Sequence, residues 1–285
     1  MNILHWSVIL KVIKIMEVFM LENKKLFLFD IDGTLCLGDS WIGGALEFLN
    51  CLISKGKEFV FITNNSTKSC DDYLNKFKNL NLNLDSDNIM TASIATGYYM
   101  AKNYKDKNIF VLGTESFKNE MINFGLKLTE DEQKANCVLV AYDSELTYEK
   151  LVKACKILNR KNTLYIATNP DFVCPVEDGY IPDCGSICQM IENAVKRKPI
   201  YIGKPNPYMI DIILEKRNVE KSKCVVVGDR MYTDILCGIN AGIETIAVLT
   251  GETSIENMKE YEYKPDYVFK CVSDILEELY KSKIS

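Results

Sequence analysis

Short apolar runs that end in polar residues recur along the chain, and they predict buried strands of a parallel sheet. Lys25–Asp30 (KLFLFD) is an aromatic-rich run that ends in an aspartate. A turn with Gly33 follows, then apolar residues at helical spacing, and then a second run, Lys57–Thr63 (KEFVFIT). This strand, helix, strand order predicts a βαβ unit with parallel strands and a right-handed crossover.

The alternation of strands and helices begins again at about residue 91 and continues to residue 198. Strands are predicted at Asn108–Leu112, Cys137–Tyr142 and Leu164–Ala167, with helices between them at Ser116–Phe124 and Tyr148–Asn159. A self-contained α/β block inside a larger α/β chain is typical of an inserted domain. We therefore predict an inserted domain at residues 91–198.

The outer pattern resumes after this block. It predicts a helix at Pro207–Arg217 and a buried strand at Cys224–Asp229 (CVVVGD), and two further strands at Ala247–Leu249 and Asp266–Phe269. The fold class predicted is α/β, with a doubly wound parallel sheet formed by residues 20–90 and 199–285.

Residues 1–19 are predicted to be an N-terminal extension outside this fold. The first twenty residues are apolar but carry three charged residues, so the segment is too short and too charged to span a bilayer. It also lacks the small-residue cleavage site of a signal peptide. A weak amphipathic helix or surface anchor is one interpretation, and a native start at Met16 or Met20 is the simpler one.

Composition narrows the class of protein. The formal net charge is -5 and the basic residues are scattered, so we expect no nucleic-acid partner, which would need a concentrated basic face. The eleven cysteines are an odd number without regular spacing, and a chain of 285 residues does not need disulfides. We expect reduced thiols in a cytoplasmic protein without a membrane partner.

The single histidine, His5, lies in the N-terminal extension. Catalysis by a Ser-His-Asp triad, by a Cys-His pair or through phosphohistidine therefore has no histidine available. Acid-base chemistry must fall to carboxylates, lysines, tyrosines or cysteines.

Polar residues follow three of the predicted strands. They are Asp30 and Asp32, Thr63 and Asn64, and Asp229 and Asp234. Because the carboxyl ends of strands in a doubly wound sheet line one crevice, we expect these groups to converge. Acidic side chains at one point repel each other unless a cation lies among them, and oxygen ligands in a compact cluster suit Mg²⁺. Lys204 would add a second positive charge.

A cation, a lysine and hydroxyl or amide donors favour an anion with charge on several oxygens. Phosphoryl transfer fits such a site, because its catalysis depends mostly on positioning and charge stabilisation. Without histidine, a carboxylate must act as nucleophile or activate water, and Asp30 at a strand end can form an aspartyl-phosphate.

The motifs at these positions resemble the haloacid dehalogenase (HAD) superfamily. They occur in the family's order: DIDGTL at Asp30–Leu35, TNN at Thr63–Asn65, GKP at Gly203–Pro205 and GDRMYTD at Gly228–Asp234. Together they span nearly the whole chain, which makes the match specific. The block between the second and third motifs is similar to the large α/β cap, type C2, of subclass IIA, which contains NagD-like and 4-nitrophenyl phosphatases.

The resemblance implies a Rossmann-like core and a role for each motif residue. Asp30 would be the nucleophile and a magnesium ligand. Asp32 would protonate the leaving alcohol and then activate water, and its main-chain carbonyl would bind the metal. Asp229 and Asp234 would complete the metal site. The residues implied to hold the phosphoryl group or substrate are Gly33, Thr63, Asn64, Asn65 and Lys204.

The function predicted is Mg²⁺-dependent hydrolysis of small phosphorylated metabolites by a monomer or homodimer. Sugar phosphates, nucleotide monophosphates, phosphoglycolate, pyridoxal phosphate and 4-nitrophenyl phosphate are the substrate types that the resemblance implies. Taken singly, each motif residue could equally be a helix cap, a turn residue or a surface lysine. A phosphotransferase such as a phosphomutase, and a non-catalytic regulatory binding protein, remain the alternatives.

Two further expectations concern particular segments. Cys224 and Arg230 have the Cys-x5-Arg spacing of cysteine phosphatases, but the residues between them must form a buried strand, so the match is interpreted as accidental. The cap is expected to hinge near residues 90–93 and 198–201 and to exclude water as it closes. Its loops at about 168–175 and 182–186 are the candidates for selecting the leaving group.

Overall fold

The computed structural model describes residues 21–65, 69–176 and 179–281. The predicted extension at residues 1–19 and its His5 lie outside these residues. The strands are β1 (Leu26–Phe29), β2 (Cys36–Leu37), β3 (Ser40–Trp41), β4 (Glu58–Thr63), β5 (Ile89–Thr91), β6 (Asn108–Leu112), β7 (Lys127–Leu128), β8 (Cys137–Val140), β9 (Leu164–Ala167), β10 (Val173–Val176), β11 (Gly179–Pro182), β12 (Ile200–Tyr201), β13 (Cys224–Gly228), β14 (Glu244–Val248) and β15 (Tyr267–Phe269). The α-helices are α1 (Ala45–Ser54), α2 (Cys70–Asn79), α3 (Ala92–Asn103), α4 (Glu115–Asn123), α5 (Tyr148–Leu158), α6 (Cys184–Val195), α7 (Tyr208–Arg217), α8 (Leu236–Ala241) and α9 (Val272–Lys281).

The larger sheet has six strands in the order β15-β14-β13-β1-β4-β5. The pairs from β15 to β4 are all parallel. From β1 the chain continues to β4 and β5 on one side, and it returns to β13, β14 and β15 on the other. The strand order therefore reverses between β1 and β13, which is where ligands bind in open α/β sheets.

A second sheet has five strands in the order β12-β9-β8-β6-β7, and all of its pairs are parallel. Its order reverses between β6 and β8. A separate antiparallel hairpin is formed by β10 and β11. The predicted α/β fold class with parallel sheets is confirmed.

The residues of the first sheet explain why it forms. All four residues of β1 are fully buried, as expected for a strand covered on both faces. Phe27 and Phe29 share one face, and the Phe29 ring lies 5.7 Å from Phe48 of α1. Aromatic burial of this kind is a large stabilising contribution per residue.

Capping residues fix several helix starts. The side chains of Thr91, Thr114 and Thr147 each accept a main-chain hydrogen bond at the start of α3, α4 and α5, and Asp183 does so for α6. Threonine and aspartate are favoured at this position because their side chains accept from otherwise unpaired N–H groups. The observed starts of α4 and α5 lie within one residue of the predicted ones, whereas α3 and α6 were not predicted.

The described residues form two compact units. One lies within Met1–Phe61, Asn75–Asn88 and Leu214–Ser285, and the other comprises Ile62–Leu74 and Ile89–Ile213. Within the described ranges, no helix is both long and apolar enough to cross a membrane. The domain limits of 91 and 198 remain a prediction from the sequence.

Candidate active site

The carboxyl ends of β1 and β13 lie side by side, and an aspartate follows each. Phe29 pairs with Val227, and the main-chain N–H of Asp30 donates to the Val227 carbonyl at 2.9 Å. Because the strands are parallel, Asp30 and Asp229 emerge at the same edge of the sheet. Both are buried, with 8% and 1% of their surface exposed.

A third carboxylate reaches this edge through a π-helical turn at Met231–Ile235. The Asp234 N–H donates to the Arg230 carbonyl, and the Arg230 N–H donates to Asp234 Oδ2 at 3.0 Å. One carboxylate oxygen from each of Asp30, Asp229 and Asp234 lies within 4.8 Å of the others. Turns of this rare type are frequent at functional sites.

Three glycines leave the space that these carboxylates occupy. A Cβ at Gly33, whose φ is +88°, would lie 2.6 Å from Asp229 Oδ2, and a Cβ at Gly251 would overlap the same carboxylate. A Cβ at Gly228 would overlap the side chain of Asp234. Gly33 is needed both for its left-handed backbone and for this close approach.

Further donors to Asp229 were not identified from the sequence. Thr34 Oγ1 donates to Asp229 Oδ1 at 3.0 Å, and the main-chain N–H of Glu252 donates to Oδ2 at 2.9 Å. The N–H of Thr253 donates to the Asp229 carbonyl at 2.9 Å. Thr34 belongs to the DIDGTL motif, so that motif was the signal for it. The loop after β14 carried no comparable signal.

The site concentrates negative charge in a buried place. Burial, and next the Asp234 charge, raise the pKa of Asp229 to about 6. The neighbouring cation, Arg230, is paired with Glu252 at 2.8 Å between Nε and Oε1. Three buried carboxylates are costly without a compensating cation, and their oxygens are the ligands that hard divalent cations prefer. The donor set of Asp30, Asp229 and Asp234 therefore fits a divalent metal ion.

The Asp32 side chain lies outside this group of three carboxylates and is 44% exposed. Its main chain forms a tight turn, in which the Cys36 N–H donates to the Ile31 carbonyl at 2.9 Å. Lys76 Nζ lies 3.8 Å from Asp32 Oδ1. The structure thus separates the Asp32 carboxylate from the candidate metal ligands.

Lys204 and Asn64 form a second set of predicted site residues, which belongs to the second compact unit. The Lys204 N–H donates to Asn64 Oδ1 at 2.8 Å, and Asn64 Nδ2 donates to the Lys204 carbonyl at 2.9 Å. Lys204 Nζ donates to the Ile62 carbonyl at 3.1 Å, and Lys204 is 2% exposed. Asn169 Nδ2 donates to the Asn64 carbonyl at 3.0 Å. The Asn64 amide therefore fixes the main chain that carries a buried ammonium group.

Thr63 and Asn65 lie next to this pair. Thr63 is the last residue of β4, and its Oγ1 accepts from the Asn65 N–H at 3.1 Å. Thr63 is buried and Asn65 is half-buried. The chain between residues 66 and 68 lies outside the described residues.

The structure agrees with the rejection of cysteine-phosphatase chemistry at Cys224. Cys224 is the first residue of β13, whereas Arg230 follows the opposite end of the strand. Burial raises the pKa of the Cys224 thiol to about 12, so it stays neutral at physiological pH. A neutral thiol at the far end of a strand cannot share a phosphate with Arg230.

Comparison with known proteins places this site in a family. Residues 27–127 match a family described as haloacid dehalogenase-like hydrolase, and residues 201–275 match one described as HAD-hydrolase-like. An acid sugar phosphatase of Staphylococcus haemolyticus is 35% identical over 92% of this chain and 99% of its own length.

Similarity to solved structures supports the same family assignment. The 4-nitrophenylphosphatase of Thermotoga maritima is 43% identical, with a TM-score of 0.85 over 91% of this chain and 99% of that one. NagD from E. coli K-12 is 30% identical, with a TM-score of 0.81 over 88% of this chain and 98% of that one. The predicted resemblance to NagD-like and 4-nitrophenyl phosphatases is confirmed, as is the prediction of an enzyme of the hydrolase class. The chain belongs to the haloacid dehalogenase-like hydrolase family.

Proposed function

We propose that this protein is a Mg²⁺-dependent phosphatase that hydrolyses small phosphorylated metabolites through an aspartyl-phosphate on Asp30. The observation that carries the proposal is the buried group of three carboxylates, Asp30, Asp229 and Asp234, within 4.8 Å of one another. The names of the relatives, an acid sugar phosphatase and a 4-nitrophenylphosphatase, support the substrate class.

Asp30, Asp229 and Asp234 would hold the magnesium ion through carboxylate oxygens. Asp32 would add its main-chain carbonyl. When bound, the ion supplies positive charge that offsets the negative charge of the carboxylates and the phosphoryl oxygens. The hydrogen bonds to Asp229 from Thr34 and the Glu252 N–H keep that carboxylate in one orientation.

The first chemical step is attack by a carboxylate oxygen of Asp30 on phosphorus. The bond from phosphorus to the ester oxygen breaks, and Asp32 gives its proton to that oxygen, so that an alcohol leaves. In the second step Asp32, now a carboxylate, takes a proton from water. The water oxygen attacks the phosphorus of the aspartyl-phosphate, which releases inorganic phosphate and restores Asp30.

The remaining predicted residues are proposed to hold the phosphoryl group. Lys204 would supply a positive charge, and the bonds between Asn64 and its main chain would fix its position. Thr63, Asn65 and Gly33 would contribute hydroxyl or main-chain donors to the phosphoryl oxygens. A fixed set of donors of this kind is what phosphoryl transfer requires.

Sugar phosphates are the substrates that we favour, because the curated relatives are named for them. The cap at about residues 91–198 is proposed to choose the leaving group through its loops and to exclude water on closing. The chain is proposed to act as a monomer or homodimer in the cytoplasm. The phosphotransferase alternative differs in the acceptor, which would be a second sugar instead of water.

The test is hydrolysis of 4-nitrophenyl phosphate and a panel of sugar phosphates by the purified full-length protein. We expect activity with Mg²⁺ and none after EDTA treatment. Asp30→Asn should lower kcat by about 10⁴-fold or more, because the nucleophile is lost. Asp106→Asn is the control, since the Asp106 side chain is fully exposed and its ion-pair partner, Lys127, is a surface lysine. Full activity in EDTA, or in Asp30→Asn, would contradict the proposal.

A further inference from the structure

Lys76 brings a positive charge to the carboxylate that we assign as proton donor. Its Nζ lies 3.8 Å from Asp32 Oδ1 and 3.9 Å from Asp39 Oδ1. These distances are too long for direct hydrogen bonds but lie within the range of an ion pair. Only 8% of the Lys76 side-chain surface is exposed, so this lysine is held more firmly than most surface lysines.

Packing around the end of α2 holds Lys76 in place. The ring of the next residue, Phe77, lies 4.6 Å from Phe61 of β4 and 5.5 Å from Trp41 of β3. Trp41 Nε1 donates to the Leu80 carbonyl at 2.9 Å. The helix end that carries Lys76 is therefore fixed to the sheet and to the β2–β3 hairpin.

The two carboxylates near Lys76 differ in exposure. Asp39 lies in the turn of the β2–β3 hairpin and is 85% exposed, whereas Asp32 is 44% exposed and follows the nucleophile by two residues. In the part of the chain that the structure describes, Lys76 is the residue whose ammonium group lies within 4 Å of the Asp32 carboxylate. The charge of Lys76 therefore acts mainly on the less solvated partner, Asp32.

We propose that Lys76 is a positioning residue for proton transfer by Asp32. It attracts Oδ1 and so orients the carboxyl group, leaving Oδ2 to face the leaving oxygen. It also offsets the negative charge that Asp32 acquires as its proton passes to the ester oxygen. This inference rests on the proposed function, because it requires Asp32 to be the proton donor.

The basicity of the leaving group separates this role from a merely structural one. Phenolate is a much more basic leaving group than 4-nitrophenolate, so hydrolysis of phenyl phosphate depends more on proton donation. The two esters have nearly the same shape, so a loss of binding or folding would affect both alike. The parameter kcat/KM reports the steps up to phosphorylation of Asp30, in which Asp32 donates its proton, and excludes the hydrolysis step that both esters share.

The experiment measures kcat/KM of wild type and Lys76→Met with both esters at saturating Mg²⁺. We expect Lys76→Met to lower kcat/KM about 10-fold or more for phenyl phosphate and no more than about 3-fold for 4-nitrophenyl phosphate. Lys76→Arg, which keeps the charge, should restore most of the phenyl phosphate activity. If Lys76→Met does not fold, Lys76→Gln replaces it.

Lys78→Met is the matched control, since Lys78 is exposed on the same helix. This variant should leave kcat/KM unchanged for both phenyl phosphate and 4-nitrophenyl phosphate. For Lys76→Met, an equal loss of kcat/KM with the two esters, no loss, or a gain with phenyl phosphate would each overturn the inference. A wild type without Mg²⁺-dependent turnover, or an active Asp30→Asn, would instead overturn the proposed function.

Discussion

The two parallel sheets offer similar crevices but balance buried charge in different ways. In each sheet the strand order reverses between two neighbouring strands, β1 and β13 in one and β6 and β8 in the other. Past the ends of β1 and β13, three carboxylates gather within 4.8 Å. Past the end of β8, the buried Asp143 meets Lys150, whose Nζ lies 2.9 Å from Oδ2 and 3.2 Å from Oδ1.

The charge and the hydrogen-bonding capacity of Asp143 are matched by residues of its own unit. Its Oδ1 also accepts from the Glu145 N–H at 2.9 Å, and Lys150 donates to the Gly113 carbonyl at 3.3 Å. A buried carboxylate with its own cation and hydrogen bonds has no need of a ligand. The cluster of Asp30, Asp229 and Asp234 instead carries more negative charge than Arg230, already paired with Glu252, can offset. Topology predicts a crevice at both places, and the charge balance favours the one at β1 and β13 as the site proposed for a cation.

Among the variants that test this comparison, the largest effect should come from filling the space beside Asp229. We expect Gly251→Ala to lower kcat/KM for 4-nitrophenyl phosphate on the order of 10²-fold, because the added Cβ would overlap the carboxylate and displace it. Gly43→Ala is the control, since no atom of the described residues lies within 4 Å of a Cβ at Gly43. Activity of Gly251→Ala within about 2-fold of wild type would show that the position of Asp229 is not critical.

Removing one charge from each crevice should change stability in opposite directions. In EDTA, Asp229→Asn should raise the free energy of unfolding by about 1 kcal/mol, because repulsion among the three carboxylates falls. Asp143→Asn should lower it by about 2 kcal/mol, because Lys150 loses its buried partner. Urea unfolding measures both values.

Addition of Mg²⁺ sharpens this comparison. It should stabilise wild type and Asp143→Asn by about 2.7 kcal/mol at 100 times the dissociation constant, and it should have little effect on Asp229→Asn. If, without metal, the free energy of unfolding changed in the same direction in Asp229→Asn and in Asp143→Asn, the distinction between the two crevices would be refuted.

The smallest effect concerns Asp183, a buried carboxyl of the second unit. Burial raises its pKa to about 7, although its hydrogen bond from the Cys184 N–H opposes the shift. A carboxyl with a raised pKa binds its proton more tightly in the folded state. Its contribution to stability is therefore complete below the unfolded pKa of about 4 and is lost as the pH rises to about 7.

Asp183→Asn should remove this pH dependence and raise stability at pH 8 by about 1 kcal/mol, since asparagine caps a helix equally well. Thermal or urea unfolding between pH 4 and 8 measures the difference from wild type. An unchanged slope of stability against pH in Asp183→Asn would mean that this carboxyl stays charged.

Most strands and helices could be predicted from the sequence, because buried parallel strands are continuous apolar runs and helices have apolar residues at their own spacing. Leu164–Ala167 matches its prediction at both ends. Ile89–Thr91 was not predicted as a strand, but it forms β5 and leads directly into α3. The two hairpins were not predicted, since β2 and β3 have only two residues each and β10 and β11 each contain a proline.

The sequence alone determined the α/β class and the family and predicted the candidate site residues, because strand ends and motif spacing are local properties of the chain. The tertiary structure decided which of those residues meet. It gathered Asp30, Asp229 and Asp234, set the Asp32 carboxylate beside Lys76, and brought Gly251 and Glu252 to Asp229. Apart from Asp229 and Asp234, these neighbours lie far apart along the chain, so only the pairing of strands and the packing of loops on them could bring their charges together.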